Sequence, residues 1–184
     1  MYQKKNRKRV RGIYGTYETR RWNDAVDIYY YEKKRGGKFF LSKCLEESRE
    51  RGTVFNSSLV SSSQENLWTE AGWEACHHLY LYNLFFNKEI PIQESKKVVG
   101  CVKLKQEHFE KIVSIDKEIF DPFWRSSSLT LLDTLESCNE TILYEYQDRG
   151  KLLAYALVGV TMRSSFLQRF AVHPETQRLG IGSL

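Results

Sequence analysis

A six-residue segment near the C-terminal end of the sequence has the composition of a phosphate-binding loop. It reads Gln177-Arg178-Leu179-Gly180-Ile181-Gly182, follows a predicted strand over residues 166–172 and leads into a predicted helix. A helix start directs free N–H groups and the positive end of its dipole at an anion, and glycine allows the backbone to approach a pyrophosphate closely. The spacing predicts a site for a phosphate-bearing cofactor. A tight turn with close helix packing is the alternative that this pattern leaves open.

The elements that must position this loop are predicted over residues 98–184. The helix over residues 107–120 carries its apolar residues at three- and four-residue spacing on one face. A second helix begins after the break at residues 120–124, with a serine at 126, 127 or 128 as its N-cap. Strands are predicted over residues 98–104, 141–146, 152–162 and 166–172, and the third is apolar on both faces, as in the centre of a covered sheet.

The N-terminal part of the chain alternates β-rich runs with helix-like stretches. Strands are predicted over residues 12–19, 53–59 and 75–84, and a helix that starts at a serine among residues 61–63 ends at Gly72. Residues 85–97 lose periodicity and are the predicted linker. We therefore predict a basic tail at 1–11, a small α/β half-domain at 12–84, a linker at 85–97 and a second domain at 98–184.

Composition limits the class of protein. The chain has 184 residues, 41% of them hydrophobic, and a net charge of +5, which excludes a disordered, collagen-like or coiled-coil protein. No apolar run is long enough to span a bilayer, no secretory signal is present, and four widely spaced cysteines are typical of reduced core residues, so we expect a cytoplasmic protein. Six of the basic residues lie within the first eleven positions. A solvated terminus is the favoured interpretation of this tail, and contact with nucleic acid, a ribosome or anionic lipid is the alternative.

Residues 98–184 resemble the GCN5-related N-acetyltransferase (GNAT) family. In that family a strand of the type Leu167-Gln168-Arg169-Phe170-Ala171-Val172-His173-Pro174 runs into a Q/R-x-x-G-x-G/A loop, here residues 177–182. The segment Phe120-Asp121-Pro122-Phe123-Trp124 resembles the one between the first two helices of ribosomal-protein and protein N-terminal alanine acetyltransferases. Residues 52–84 are similar to the N-terminal part of actinobacterial two-part members. The resemblance implies an α/β (α+β) fold with a mixed sheet flanked by helices, C-terminally truncated and preceded by a degenerate half-domain.

The resemblance also implies an activity and a set of site residues. The activity is direct transfer of an acetyl group from acetyl-CoA to a primary amine, with a protein or peptide N-terminus as one candidate acceptor, and without a metal. Attack on the thioester produces an oxyanion that preorganised N–H donors stabilise, and the amine must lose a proton to a general base. Phe123 and Trp124 are the implied acceptor-binding residues. The implied cofactor-binding residues are Phe170, Ala171, Val172, Gln177, Arg178, Leu179, Gly180, Ile181 and Gly182.

The sequence departs from the family pattern at its catalytic positions. The usual tyrosine acid and glutamate base of the family match no position in this sequence, so the catalytic residues stay unassigned. Tyr144 and Glu145 are possible substitutes, but solvated strand residues are the favoured interpretation of both. The alternative function is a truncated, catalytically inactive family remnant that acts at most as a binding or interaction module.

Three weaker sequence patterns also have structural explanations. The Cys76-His77-His78 run alternates faces in a strand and lacks a fourth ligand at zinc-like spacing, so we predict no metal site. Tyr29, Tyr30 and Tyr31 precede basic residues and suit either a nucleic-acid surface or a partly buried element. A dinucleotide-binding fold ranks lower because its glycine motif would begin directly after the strand, whereas here the five residues His173 to Gln177 intervene.

Overall fold

The structure, a computed structural model, describes residues 8–84 and 100–183. The chain divides into an N-terminal unit within residues 1–89 and a C-terminal unit within residues 90–184. The predicted linker at 85–97 lies outside the described residues, as do the first seven residues of the predicted tail. None of the described helices is long and apolar enough to cross a membrane.

The N-terminal unit contains a four-stranded sheet in the order β1-β2-β3-β4. The first three strands are antiparallel and β4 runs parallel to β3. The helix α1 connects β3 to β4, which is the long connection that parallel neighbours require. Its elements are β1 (Lys8–Gly12), β2 (Gly15–Arg21), β3 (Ile28–Gly36), α1 (Lys38–Glu50), β4 (Val54–Ser57) and α2 (Glu65–Thr69).

Aromatic side chains dominate the core of the N-terminal unit. Alternation along β2 buries Tyr17 and leaves its neighbours Thr16 and Glu18 half-buried, so one face of the sheet is the core face. Tyr31 is fully buried, and its hydroxyl lies 3.1 Å from the Cys44 sulfur on α1. The buried residues of this cluster are Tyr17, Tyr31, Phe40, Leu41, Cys44, Trp68, Ala71 and Trp73.

The C-terminal unit contains an antiparallel sheet in the order β5-β6-β7-β8. Residues of α3 and α4 join the largely aliphatic core of this sheet, in which β7 lies between β6 and β8. The α/β class predicted from the sequence is confirmed. The elements are β5 (Gly100–Lys103), α3 (Phe109–Ile119), α4 (Ser128–Ser137), β6 (Glu140–Asp148), β7 (Lys151–Val160) and β8 (Ser165–Val172).

The connection between α3 and α4 follows from its local sequence. α3 ends where Phe120 takes an extended conformation, and Pro122 shortly afterwards cannot continue a helix. α4 begins at the predicted serine N-cap, because the Ser127 side chain accepts a hydrogen bond from the Thr130 N–H at 3.2 Å. Thr130 Oγ1 accepts a reciprocal bond from the Ser127 N–H at 2.8 Å. The segment between the helices is therefore fixed at both ends.

A β-bulge interrupts the pairing of β8 with β7. Leu157 is opposite Arg169, whereas the next residue, Val158, is opposite Leu167, so Gln168 is the extra residue. From Arg169 onward, the side chains of residues 169 and 171 lie on the face that carries the core. Phe170 and Val172 lie on the opposite face.

The structure corrects several predictions for the N-terminal unit. Residues 75–84 form no strand, and the side chains of Tyr80 and Tyr82 are 85% and 87% exposed. Propensity alone predicted that strand, but no described strand pairs with the segment. Lys8 to Arg11 belong to strand β1 and are not part of a tail. The long strand β3 and the helix α1 were not predicted at their positions.

Candidate functional site

The last strand of the C-terminal sheet offers an open backbone edge. In the described part of the chain β8 pairs with β7 alone, so its other edge has no strand beside it. Within the predicted cofactor-binding stretch of β8, Ala171 is buried, Val172 is half-buried and Phe170 is 47% exposed. In this stretch Ala171 is held in the core, while the Phe170 side chain and the unpaired backbone edge of β8 are accessible.

The loop after β8 is tied to the end of that strand. His173 begins a short 3₁₀ turn over Pro174–Thr176. The Gln177 side-chain amide donates a hydrogen bond to the Val172 carbonyl at 3.0 Å. Ile181 is buried, while Leu179 is 62% exposed. A predicted cofactor-binding residue, Gln177, thus holds the loop against β8.

Two residues of the loop adopt the left-handed backbone conformation. Arg178 has φ 63° and Gly180 has φ 75°. No heavy atom lies within 4 Å of the position that a Cβ would occupy at Gly180, so the space beside this backbone is open. Turns that contain left-handed residues can direct consecutive N–H groups toward one anion. The glycine at 180 serves the backbone conformation and leaves room for a ligand.

The second glycine has a different role. A Cβ at Gly182 would lie 3.2 Å from Phe170 Cζ and 3.6 Å from Val172 Cγ2. The loop therefore folds back onto the side chains of β8, with glycine at the point of closest approach. Only a 3₁₀ turn, Ile181–Ser183, follows here in the described residues. The structure brings together Phe170, Val172 and the loop.

His173 fastens the base of the loop to helix α3. Its side chain is buried, its Nδ1 accepts a hydrogen bond from the Glu175 N–H at 3.3 Å, and its Nε2 lies 2.7 Å from Glu118 Oε2. Lys151 Nζ lies 3.4 Å from the same ring nitrogen. The hydrogen bond from His173 lowers the pKa of the Glu118 carboxyl. Sequence reasoning did not predict these contacts of His173.

A buried charged cluster connects β8 with α3 and β7. Asp116 on α3 is fully buried, and its Oδ2 accepts a hydrogen bond from Arg169 Nη2 at 2.6 Å. Its other oxygen, Oδ1, accepts from the Tyr155 hydroxyl, and Arg169 Nε lies 3.3 Å from that hydroxyl. Burial, followed by the charge of Asp116, raises the pKa of Tyr155. The cluster is satisfied by mutual hydrogen bonds, as a buried ion pair must be.

The same cluster holds the predicted acceptor-binding segment. Arg169 Nη2 donates to the Trp124 carbonyl at 2.6 Å, and Asp116 Oδ2 accepts from the Ser126 N–H at 2.8 Å. The Arg169 guanidinium also lies 3.9 Å from the centre of the Phe120 ring. Arg169 therefore joins the segment with Phe123 and Trp124 to the strand with Phe170. Sequence reasoning missed this residue.

Phe123 and Trp124 form a small aromatic pair. Their ring centres are 4.8 Å apart in an edge-to-face arrangement, and both side chains are half-buried. The Phe123 N–H donates to Asp121 Oδ1 at 2.9 Å, which fixes the turn beside Pro122. The pair is thus presented on a braced turn in the same unit as β8.

The two substitutes considered for the catalytic residues lie on opposite faces of β6. Glu145 is only 8% exposed and forms an ion pair with Lys111 of α3, so its interpretation as a solvated residue was wrong. Tyr144 is 37% exposed, and burial together with Cys101 raises its pKa. Among the described residues, no group of three or more His, Cys, Asp or Glu residues is placed to hold a metal ion.

No family model and no curated protein matches the chain. The crystal structure of the ribosomal-protein-S18-alanine N-acetyltransferase from Escherichia coli is similar to it, with 20% identity and a TM-score of 0.39 over 47% of this chain and 53% of that chain. The chain is similar in part to an N-acetyltransferase. An X-ray structure of a Drosophila protein is similar with 17% identity and a TM-score of 0.42, over 92% of this chain and 58% of that one.

The chain spans little more than half the length of each of these two proteins. At identities of 20% and 17% and TM-scores of 0.39 and 0.42, neither similarity determines an activity, a cofactor or an acceptor for this chain.

Proposed function

We propose that the C-terminal unit is an acetyl-CoA-dependent N-acetyltransferase acting on a primary amine. The observation that carries the proposal is the loop folded onto β8, with Gly182 against Phe170 and an open left-handed backbone at Gly180. A loop of this kind suits a pyrophosphate beside an open strand edge. Because the loop and the edge adjoin, one extended ligand with a phosphate end can occupy both.

The residues of the site fit this cofactor. The backbone at Gly180 has open space beside it, and the exposed side chain of Arg178 supplies a positive charge to the same loop. Arg178, Leu179, Gly180, Ile181 and Gly182, with the tether Gln177, would hold the pyrophosphate, and Phe170, Ala171 and Val172 would hold the pantetheine arm. Acetyl-CoA supplies an acetyl group activated as a thioester.

The chain's own contribution to the reaction is positioning and charge stabilisation. Backbone donors on the open edge of β8 would face the carbonyl oxygen, and such preorganised donors are usually the largest catalytic effect in acyl transfer. The amine must be deprotonated before it attacks. Asp116, Glu118 and Glu145 are engaged by Arg169, His173 and Lys111, so we assign the base to none of them.

The aromatic pair Phe123 and Trp124 is our proposed contact for the acceptor. Arg169 ties the Trp124 carbonyl to the strand that would hold the thioester, so acceptor and donor sites keep a fixed relation. A peptide with a free N-terminus is the first acceptor to test. All four cysteines are unpaired, which supports a reducing compartment such as the cytoplasm.

Gly180→Ala tests whether the loop binds the cofactor. We expect acetyl-CoA to raise the unfolding temperature of the unaltered chain, because a ligand that binds the folded state stabilises it. Gly180→Ala should reduce this shift, since a left-handed alanine costs about 1 kcal/mol, or about fivefold in affinity, if the loop must keep its conformation to bind. Thermal unfolding with and without acetyl-CoA measures both effects.

Gly150→Ala is the matched control for this test. Gly150 also has a left-handed backbone, at φ 80°, and open space at its Cβ position, but it lies in the β6–β7 turn. Its alanine variant should lose the same stability and keep the full acetyl-CoA shift. The absence of a shift in the unaltered chain, or an equal shift in the Gly180 variant, contradicts the proposed site.

The transfer itself is tested with short peptides that begin with a free α-amine, followed by mass spectrometry. We expect acetylation of the α-amine and none of the same peptides blocked at the N-terminus. Phe123→Ala should raise the KM for the peptide and leave the acetyl-CoA shift unchanged. If acetyl-CoA binds but no amine is acetylated, the unit is a cofactor-binding module and the proposed reaction is wrong.

A further inference from the structure

We propose that the N-terminal sheet binds single-stranded nucleic acid on the face opposite helix α1. This face carries four arginines, Arg9, Arg11, Arg20 and Arg35, and we call it the arginine face. The proposal concerns the N-terminal unit alone and is independent of the acetyltransferase proposed for the other unit.

The strand register places these arginines on one side of the sheet. Thr16, Glu18 and Arg20 alternate along β2 with Tyr17 and Thr19, which are buried on the side of α1. Arg9 is opposite Glu18. Thr16 lies between Arg11 on β1 and Arg35 on β3, so two arginines flank one threonine across three strands.

Two glycines that lie close to α1 confirm which face of the sheet is covered by that helix. A Cβ at Gly15 or Gly36 would lie 2.7 Å or less from Phe40 of α1, so these glycines are on the core side. Gly36 follows Arg35 directly, and Gly15 precedes Thr16, so Arg35 and Thr16 point away from α1. The arginine face is therefore the outer face of this sheet.

The positive charge of the chain is concentrated in its first 36 residues, of which residues 1–7 contribute three Lys and Arg and no Asp or Glu. Residues 8–36 contain eight Lys and Arg against four Asp and Glu, whereas residues 37–184 contain 17 against 19. Arg11 and Arg35 are exposed, and the side chain of Arg9 stays 53% exposed although it forms an ion pair with Glu18. An accessible surface with several arginines in the basic part of the chain favours a polyanion as its partner.

Exposed rings at one end of this sheet favour nucleic acid over a lipid surface or an acidic protein. The β1–β2 turn, next to Arg11, presents Tyr14, which is 61% exposed and packs edge-to-face on Phe39 at 4.8 Å. Phe39 is 55% exposed. Guanidinium groups suit phosphates because of their planar donor geometry, and accessible aromatic rings at the β1–β2 end of the sheet offer stacking platforms for unpaired bases.

The test measures binding of the full chain to a fluorescent oligouridine by anisotropy at several salt concentrations. We expect binding that weakens with salt, as phosphate contacts require. The double variant Arg11→Gln/Arg35→Gln should bind at least tenfold more weakly near 0.1 M salt, with a salt slope reduced by about 1.4. Tyr14→Ala should weaken binding at least about fivefold without changing the slope, because it removes stacking and no charge.

The double variant Lys103→Gln/Arg163→Gln is the control, since it removes the same charge from exposed positions of the C-terminal unit. Its affinity should stay within about twofold of the unaltered chain, and circular dichroism should show all variants folded. An equal loss in this control means attraction by net charge alone and overturns the proposal. So does the absence of oligouridine binding, including the case in which only vesicles containing phosphatidylserine are bound.

Discussion

The cores of the two units are stabilised in different ways. The N-terminal core is a cluster of aromatic rings with neutral hydrogen bonds, such as the Tyr31 hydroxyl on Cys44 and the Trp73 indole N–H on the Leu41 carbonyl. At its rim the Tyr17 hydroxyl donates to the half-buried carboxylate of Glu47. The C-terminal core is largely aliphatic, but it contains the buried carboxylate of Asp116 paired with Arg169.

The difference follows from what each buried polar group has to hold. The neutral bonds of the N-terminal core join elements that already pack through large rings. The charged cluster of the C-terminal core holds an irregular segment, residues 120–126, by binding the Trp124 carbonyl and the Ser126 N–H, which lie outside the regular helix and strand hydrogen bonds. The buried ion pair therefore lies where an irregular loop has to be held in place. This loop is also where we propose that the acceptor binds.

Asp116→Asn should have the largest effect. The variant keeps the shape of the side chain but leaves the Arg169 guanidinium without its anion, which costs about 3 kcal/mol for a largely buried pair. Native-state hydrogen exchange of the β7 amides would report the stability of this unit alone. Glu140→Gln at the exposed pair with Lys103 should cost less than about 0.5 kcal/mol. Similar losses for both variants would remove the distinction between the cores.

Tyr31→Phe is the corresponding change in the neutral core and should have a smaller effect. It removes one hydroxyl and leaves the Cys44 thiol without its partner, at a cost of about 1.5 kcal/mol. Hydrogen exchange of the β2 and β3 amides measures this loss. Tyr14→Phe, at an exposed ring, should change nothing measurable. A loss as large as that of Asp116→Asn would show that neutral and charged bonds are equivalent here.

The loss of stability of the N-terminal unit at alkaline pH is the smallest of the expected effects. Burial raises the pKa of the Cys44 thiol to about 11, above its value in the unfolded chain. The stability is complete below about pH 8.5 and falls as the pH rises toward 11, because only the unfolded thiol ionises in that range, with a loss of about 1 kcal/mol by pH 9.5.

Cysteine variants identify the group responsible for this decline. Cys44→Ala should flatten the stability between pH 8 and 9.5, and Cys101→Ala, at an exposed thiol, should preserve the decline. Urea unfolding at each pH, monitored by hydrogen exchange of the β3 amides, measures the difference in stability between the variants. An unchanged decline in the Cys44 variant would assign it to another group.

The elements of the C-terminal unit could be predicted because their patterns are strong. The helix predicted over residues 107–120 is observed as Phe109–Ile119, and the strand predicted over 152–162 as Lys151–Val160. The helix has apolar residues at three- and four-residue spacing and the strand is a continuous apolar run, so both carry a strong local signal. In the N-terminal unit β3 mixes tyrosines with charged residues and lacks such a pattern, so its position could not be predicted.

The candidate site could be predicted only in part. Local sequence indicates a glycine-rich loop after a strand, but the pair Asp116 and Arg169 joins residues 53 positions apart, which no local pattern specifies. A signal was present, because Asp116 follows Ile112 by four residues and so lies on the apolar face of α3. The degenerate acetyltransferase-like half-domain at residues 12–84 stays a prediction.

The bulge at Gln168 limits which insertions and deletions β8 can accept. Side chains of a strand change face with every residue, so deletion of one residue from the stretch 169–172 would reverse the sides of Arg169 and Phe170 relative to their partners. Deletion of Gln168 itself would only restore regular pairing, with Leu167 still opposite Val158. Related sequences should therefore vary in length at this position and keep a constant number of residues between Arg169 and Gly182.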